Sequence, residues 1–319
     1  MKLTDAQIEY FISAALKLPQ GKRKQYLDQV DFLIRRLEAK IKDSGAFQVV
    51  GFKKTGSLMK GTVIRPRGDD GVDADVAVYL NVAESDRGDI ARLHDIILKL
   101  VRAVYPQKAA EDFKKQPRTL GIHFRDSDLD VDLVPIIPIA NRSGYGWQPS
   151  AEGGEPIKTS VDGQLAFIKK RSDGDKSYRS LVRLLKKWRN EQGLDALRSF
   201  LIELLVAYLQ DRDGPAPTLE EGLMRFFLYV AQSKVKESIK FAENGAVSVF
   251  PKDAVVVLDP VNSENNVARR LSDSERLSIA RASEDAWEKI HVASCKAGKG
   301  ETVELWKSVF GRSFVIEDR

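Results

Sequence analysis

Two aspartates, Asp73 and Asp75, stand two residues apart in the apolar run DADVAVYL, and a third, Asp132, lies in a second apolar run, LDVDLVPII (residues 129–137). In a β-strand, positions i and i+2 share a face, so Asp73 and Asp75 project from one side of one strand. Three oxygen-only side chains converging from neighbouring strands suit a hard, octahedral ion such as Mg²⁺ better than a soft metal. Such a set can hold two ions about 3.5–4 Å apart, the arrangement of metal-assisted phosphoryl transfer. Upstream, Gly56 and Ser57 fall between the strand-like FQVVGFK and the helix-like SLMKGT. Backbone N–H groups and a hydroxyl at that junction can receive a phosphate, and glycine lets the backbone come close to it. A lone D-x-D is most simply a polar strand face. Here it comes with a preceding Gly-Ser, a later third aspartate and strands otherwise too apolar to be solvated, which together point to a site. Asp130 and Asp128 alternate onto the face of Asp132, and Asp130 is the alternative third carboxylate if the register differs.

The elements that must position these groups follow from periodicity. Helices are expected over Thr4–Leu18 and Lys22–Asp43, the second carrying Leu27, Val30, Ile34, Leu37 and Ile41 on one face, with Gly45 placed to end it. Strands follow at Phe47–Lys53 and Val72–Leu80, then a helix at Asp89–Val104 stopped by Pro106, then strands at Thr119–Phe124 and Leu129–Ile137. The Gly/Pro/Ser-rich stretch Asn141–Pro156 reads as a loop. Beyond it the pattern turns helical, at Asp162–Lys170, Tyr178–Gln192, Ser199–Gln210, Leu219–Phe241 and Asp273–Lys296, broken by a strand-like Val255–Leu258. The expected fold class is α+β. A catalytic lobe with a mixed sheet and the N-terminal helices spans residues 1–160, a helical C-terminal lobe spans 161–319, and the active site lies in the cleft between them.

Composition excludes other classes. The 319 residues are 30% charged with well-spread apolar residues, as in a globular protein. No apolar run reaches the roughly 18 residues of a membrane helix, and MKLTDAQIEY lacks the apolar core of a signal peptide, so a cytoplasmic protein without membrane partners is expected. The single cysteine, Cys295, excludes an intrachain disulfide and a multi-cysteine zinc site. His94, His123 and His291 have no metal-ligand spacing and read as surface or packing residues. The net charge of +5 is spread over short clusters (Lys22–Lys24, Arg35–Arg36, Lys53–Lys54, Lys114–Lys115, Lys169–Arg171) separated by acidic residues, which read as solvated faces.

GSLMKGT, DADVAVYL and VDLVP in that order resemble the nucleotidyltransferase superfamily with the polymerase-β-like fold that contains oligoadenylate synthetase and cyclic GMP-AMP synthase. The best match is its bacterial branch, the CD-NTases of anti-phage (CBASS) signalling operons. SLVRLLKKWRNEQG with RSFLIELLVAYL, and VVVLDPVNSENNVARR, extend the likeness over roughly residues 50 to 270. The resemblance implies that Asp73 and Asp75 bind the Mg²⁺ clamping a donor triphosphate. All three aspartates would share a second ion, with Mn²⁺ able to substitute, and Asp132 would receive the proton of an attacking ribose hydroxyl. It turns Lys186, before the helix tryptophan, toward the triphosphate, although spacing alone equally allows Lys186 and Lys187 to be solvent-facing helix charges. Lys60, Ser199, Asp259 and Asn266 are further nucleotide contacts it suggests, and the bland reading of DPVNSENN is an Asp-Pro turn and polar loop. The implied activity joins ribonucleoside triphosphates, ATP among them, into a cyclic di- or trinucleotide messenger in anti-phage defence. A HORMA-type regulator or double-stranded DNA is the expected activator. Competing readings are a linear oligoadenylate synthetase, a tRNA- or RNA-end nucleotidyltransferase, and a fold that senses nucleic acid without catalysis.

Overall fold

The strict alternation in the two aspartate-bearing segments decides which side of the sheet is core. The computed structural model describes residues 1–66, 71–82, 88, 90–150, 155–246 and 249–317. Its elements in chain order begin with α1 (Asp5–Phe11), a π-helical turn at Ile12–Leu16, and α2 (Gln20–Ser44). There follow β1 (Gln48–Thr55), α3 (Gly56–Lys60), β2 (Val72–Asn81), α4 (Ile90–Val104), β3 (Phe113–Lys115), β4 (Leu120–Phe124), β5 (Leu129–Pro138), β6 (Gly146–Gln148) and β7 (Ile157–Thr159). The remainder is α5 (Val161–Gly174), α6 (Tyr178–Glu191), α7 (Ser199–Asp213), α8 (Leu219–Ser233), β8 (Leu258–Asp259), β9 (Asn262–Asn266), α9 (Asp273–Cys295) and α10 (Lys299–Phe310). The chain divides into two compact units, Leu18–Leu165 and Met1–Lys17 with Ala166–Arg319.

In the first unit the strands run β1-β2-β5-β4-β3, with β6 and β7 continuing from the far end of β5. Among the described strand pairs of this sheet only β2–β5 is parallel, so the sheet is mixed. Val72, Ala74, Val76, Val78 and Leu80 of β2 and Leu129, Val131, Leu133 and Ile137 of β5 face one way, into a core with Val30, Leu33, Leu37 and Ile41 of α2 and Leu93, Ile97, Leu100 and Val101 of α4. Each such Val, Leu or Ile side chain, fully buried, contributes about 1.5–3 kcal/mol. A one-residue slip would exchange this face for the one bearing Asp73, Asp75 and Asp132, so the apolar pattern itself fixes which way the carboxylates point. On the opposite face, Ala77, Tyr79, Val134 and Ile136 form a smaller cluster with Val161. Polar and apolar halves therefore share the same two strands.

The second unit is built around α7, buried along nearly its whole surface by Leu201, Ile202, Leu204, Leu205, Val206, Ala207 and Leu209, as expected of a central rather than a surface helix. Trp188 of α6 packs edge-on to Phe226 and Phe227 of α8. The expected boundary near residue 160 needs correcting at the N-terminus, because α1 belongs with the helical unit. Phe11 packs 4.7 Å from Phe314 (ring centroids), Asp5 accepts from the Leu219 N–H at 2.8 Å, and Glu220 accepts from the Leu3 N–H at 2.9 Å. These contacts join residues over two hundred positions apart, which local patterning does not reveal.

Most expected elements are present with ends shifted by a few residues. Gly45 ends α2 in the left-handed conformation, φ 61°. The helix expected to reach Phe241 stops at Ser233, where Lys234 and Val235 turn left-handed at φ 52° and 49°. Val255–Leu258 is mostly not strand; the pairing is instead the hairpin β8–β9. Strands β6 and β7, at the expected loop Asn141–Pro156, were not anticipated, and neither was α10. Asp89 and residues 151–154 of that loop lie outside the described residues.

Candidate active site

Parallel pairing of β2 with β5 sets Asp73 opposite Asp130 and Asp75 opposite Asp132, two carboxylate pairs in register on the polar half of the sheet. The row through Asp75 and Asp132 continues to Thr55 of β1 on one side, and to Gly121 of β4 and Lys114 of β3 on the other. The next row runs from Asp73 through Asp130 to His123.

The two carboxylates of β5 differ in their surroundings. His123 Nδ1 lies 3.0 Å from Asp130 Oδ1, so Asp130 already has a hydrogen-bonding partner. Asp132 is more deeply set, and burial, followed by the negative charge of Asp75 and then of Asp130, pushes its carboxyl from 3.8 up to about 6. Asp128 is not on the strand face as expected. It occupies the preceding turn at φ 52°, and its carbonyl accepts from the Val72 N–H at 2.8 Å.

Gly56 meets Asp75 directly. Its backbone is left-handed, φ 71°, and an added Cβ would lie 1.7 Å from Asp75 Oδ2. No side chain fits there, so the head of α3 rests against the carboxylate itself. The first turn has no side-chain cap from Thr55, and Ser57 anchors the exit by accepting from the Thr62 and Val63 N–H groups at 2.9 and 3.2 Å. Lys60, one turn on, is buried at the helix end.

As they stand, among the described residues no three His, Cys, Asp or Glu side chains enclose a common point as a preformed metal cage would. The donor set nonetheless fits a hard divalent cation. It is all oxygen, and Asp75 and Asp132 repel each other in a partly buried setting that a cation would relieve.

The other expected contacts fall in the helical unit. Lys186 is 3% exposed, its ammonium 3.4 Å from the buried Glu203, and Lys187 is also buried, 2.6 Å from Glu191. Neither lysine is therefore a solvent-facing helix charge. Burial without an acid beside each would cost several kcal/mol, on the order of the penalty for an isolated charge. Ser199 begins α7 and accepts from Arg189 at 3.3 Å. Asn266 was expected to line a nucleotide pocket, but its side chain is spent on the fold: the amide oxygen accepts from the Val257 and Ala268 N–H groups, and the amide nitrogen donates to Asp253 and Val255. Four bonds exhaust an asparagine. Asp259 accepts from the Val261 N–H at 3.1 Å and from Asn265 at 3.2 Å, closing the same hairpin. The sequence reads Lys114 within a solvated basic cluster and His123 as a surface or packing residue. Their place on the carboxylate face is set by strand pairing, for which a three-residue strand and one histidine offer no local signal.

The basic clusters are largely matched by acids in their own surroundings, as in Lys24–Asp28, Lys54–Asp31 and Lys115–Asp95. Among the described residues no helix is long and apolar enough to cross a membrane.

No protein-family model matches the chain. It is 39% identical over 318 residues to the CBASS oligonucleotide cyclase CdnC of Escherichia coli (strain KTE188), covering 100% of this chain and 99% of that protein. It is 33% identical over 314 residues to the cyclic AMP-AMP-AMP synthase of E. coli (strain MS 115-1), covering 96% of each. The solved structure of E. coli MS115-1 CdnC with ATP superposes with a TM-score of 0.84 at 31% identity over 98% of this chain and 99% of that one, and the complex of that CdnC with HORMA-deltaN gives the same score. With this identity sustained from end to end, the chain belongs to the CBASS oligonucleotide cyclases, nucleotidyltransferases of bacterial anti-phage defence.

Proposed function

We propose that the chain joins ribonucleoside triphosphates, with ATP as a substrate, into a cyclic di- or trinucleotide, and that Asp73, Asp75 and Asp132 carry the reaction. The carrying observation is the in-register pairing of Asp75 with Asp132 on adjacent parallel strands, with Gly56 seated against Asp75. ATP in the CdnC structure and the product named for the 33% identical relative support adenine nucleotides.

Asp73, Asp75 and Asp132 would hold Mg²⁺, two ions in the full complement with Mn²⁺ able to substitute, which when bound neutralises triphosphate charge and polarises the attacking hydroxyl. The backbone at Gly56 and the Ser57 hydroxyl hold the donor phosphates at the β1–β2 side. Asp132 accepts the proton of the sugar hydroxyl. Its carboxyl, pushed up to about 6, is a better base than an ordinary aspartate and is still ionised at neutral pH. The hydroxyl oxygen bonds to the donor α-phosphorus, the bond from that phosphorus to the β-phosphate oxygen breaks, and pyrophosphate leaves with that electron pair. A further round within the linear product closes the ring. Lys186, Lys60 and Ser199 remain candidates for steadying phosphates. The hydrogen bonds of Asp259 and Asn266 favour a supporting role in shaping the hairpin. Regulation by a HORMA-type partner follows the CdnC complex.

The test is to incubate the purified chain with four labelled ribonucleoside triphosphates and Mg²⁺, beside Asp73→Asn/Asp75→Asn, and to identify phosphatase-resistant products by mass. A resistant product of two or three nucleotides, absent from the double variant, is expected. A phosphatase-sensitive ladder would replace the cyclase reading with a linear synthetase. If the chain alone is silent, a HORMA-type partner and then double-stranded DNA are added.

A further inference from the structure

Thr119 carries a hydroxyl that the reaction described above leaves unused. It immediately precedes β4, where Leu120 and Ile122 enter the core and Gly121 stands opposite Asp132. Alternation therefore carries Thr119, with Gly121, to the carboxylate side of the sheet. Asp132 leans onto the same strand: a Cβ at Gly121 would stand 3.2 Å from Asp132 Oδ1. Burial and then Asp75 disfavour the charge of this carboxyl, and the Thr119 hydroxyl is the leading group that favours it, ahead of Lys114. Yet Thr119 Oγ1 is shut off from solvent and completes no well-aligned hydrogen bond among the described residues. A buried hydroxyl in that state is a cost to the fold and calls for an explanation. Its direction is not loose. The Thr119 carbonyl accepts from the Gln116 N–H at 2.9 Å across the turn at Pro117 and Arg118, and the buried His94 ring of α4 lies against the Thr119 backbone. Arg118 in turn donates to Gln148 of β6 at 2.8 Å. A β-branched side chain on a backbone held from three sides has few rotamers open to it.

We propose, on the reading of Asp132 as metal ligand and proton acceptor, that Thr119 is a positioning residue: its hydroxyl donates to Asp132 in the loaded site and holds that carboxylate in the plane from which it meets the ion and the attacking sugar hydroxyl. Hydrogen bonds at catalytic groups are commonly long or poorly aligned before substrate binds and tighten in the complex, which accounts for a hydroxyl fixed beside Asp132 but short of a full bond. A carboxylate offers about four lone-pair directions, so one given to Thr119 leaves the others for the ion and the proton while removing free rotation of the group. Carboxylates that ligate metals are oriented by such outer hydrogen bonds, and losing one costs about 10- to 100-fold in metal affinity or activity.

The experiment compares Thr119→Val, Thr119→Ser and Asp132→Asn with the wild-type chain in two measurements. One is equilibrium Mn²⁺ binding to the intact chain with a non-hydrolysable ATP analogue, read from the electron paramagnetic resonance of free Mn²⁺. The other is steady-state turnover of ATP under the conditions in which the wild type forms product. Thr119→Val is expected to weaken Mn²⁺ binding by about 10-fold and to lower kcat by about 10- to 100-fold, with KM for ATP unchanged. Its urea midpoint should stay level or rise, because an apolar group of the same shape replaces a hydroxyl without a complete hydrogen bond. Thr119→Ser keeps the hydroxyl and should stay close to the wild type in both measurements. A valine variant that binds Mn²⁺ and turns over like the wild type, a serine variant that fails as valine does, a rise in KM in place of the fall in kcat, or an activity loss that comes with a lowered midpoint would overturn the proposal. Mn²⁺ binding needs no turnover, so this arm holds whether or not the product proves cyclic. Intact Mn²⁺ binding and turnover in Asp132→Asn would instead remove the reading of Asp132 itself, which tells the two failures apart.

Discussion

The carboxylate face of the sheet and the β8–β9 hairpin both come from polar motifs set in apolar surroundings, yet they spend their polar groups in opposite ways. In the hairpin every hydrogen-bonding position of the Asn266 amide is taken by the protein, three of the four by backbone groups. On the sheet, Asp132 is held close to Asp75 in a setting that disfavours its charge. Hydrogen bonds satisfied internally stabilise the fold and leave little for a ligand. Charges left in conflict cost stability and are poised to be relieved by one. The difference separates a staple from a reactive surface better than residue type does.

The strongest break in that comparison is Asp73→Asn/Asp75→Asn, which should lower product formation by about 10³-fold or more without lowering the urea midpoint. Retained turnover in this double variant would remove the sheet face from the chemistry. Next is Gly56→Ala. The overlap with Asp75 and the left-handed backbone should displace the carboxylate, reducing turnover by about 10²-fold and stability by about 1–2 kcal/mol. Normal kinetics from this variant would mean that the head of α3 does not position Asp75.

Asn266→Ala sharpens the other side. It should cost about 2–4 kcal/mol in chemical denaturation, because several buried groups lose partners at once, while the folded protein keeps its KM for ATP. A large rise in KM with unchanged stability would restore the nucleotide-contact reading. A last test follows the stability of Asp132→Asn in EDTA. The native carboxyl titrates near 6 and the unfolded one near 3.8, so between these values the folded state binds more protons than the unfolded state. Wild-type stability should therefore fall as pH rises through that window and stay low above it. The asparagine variant lacks this loss. It should be inactive yet more stable than wild type by about 1–3 kcal/mol at pH 8, with the gap closing toward pH 4. A gap independent of pH would show that the raised carboxyl of Asp132, set by burial first and by Asp75 second, is not what destabilises the native site.

The candidate site was legible to the extent that it obeys local periodicity. Asp73 and Asp75 share a face by the two-residue repeat alone, and the apolar residues between them leave that face no alternative register. Lys186 was legible as a residue near a buried tryptophan, but its pairing with Glu203 on α7 was not, since an ion pair between separate helices has no period. Asn265 and Asn266, at the end of NSENN, have none of the β-branched character of a strand. Their hairpin is held by side-chain bonds to backbone rather than by strand propensity.

By itself the sequence determined the strand-rich first half, the helical second half and the shared face of Asp73 and Asp75, because apolar alternation and the energy of burying it act between residues a few positions apart. Only the tertiary structure decided that Asp130 lies against His123 while Asp132 faces Asp75, and that α1 joins the helical unit. Each of these depends on which distant segments become neighbours, and that follows from the packing of the whole chain rather than from any one stretch of it.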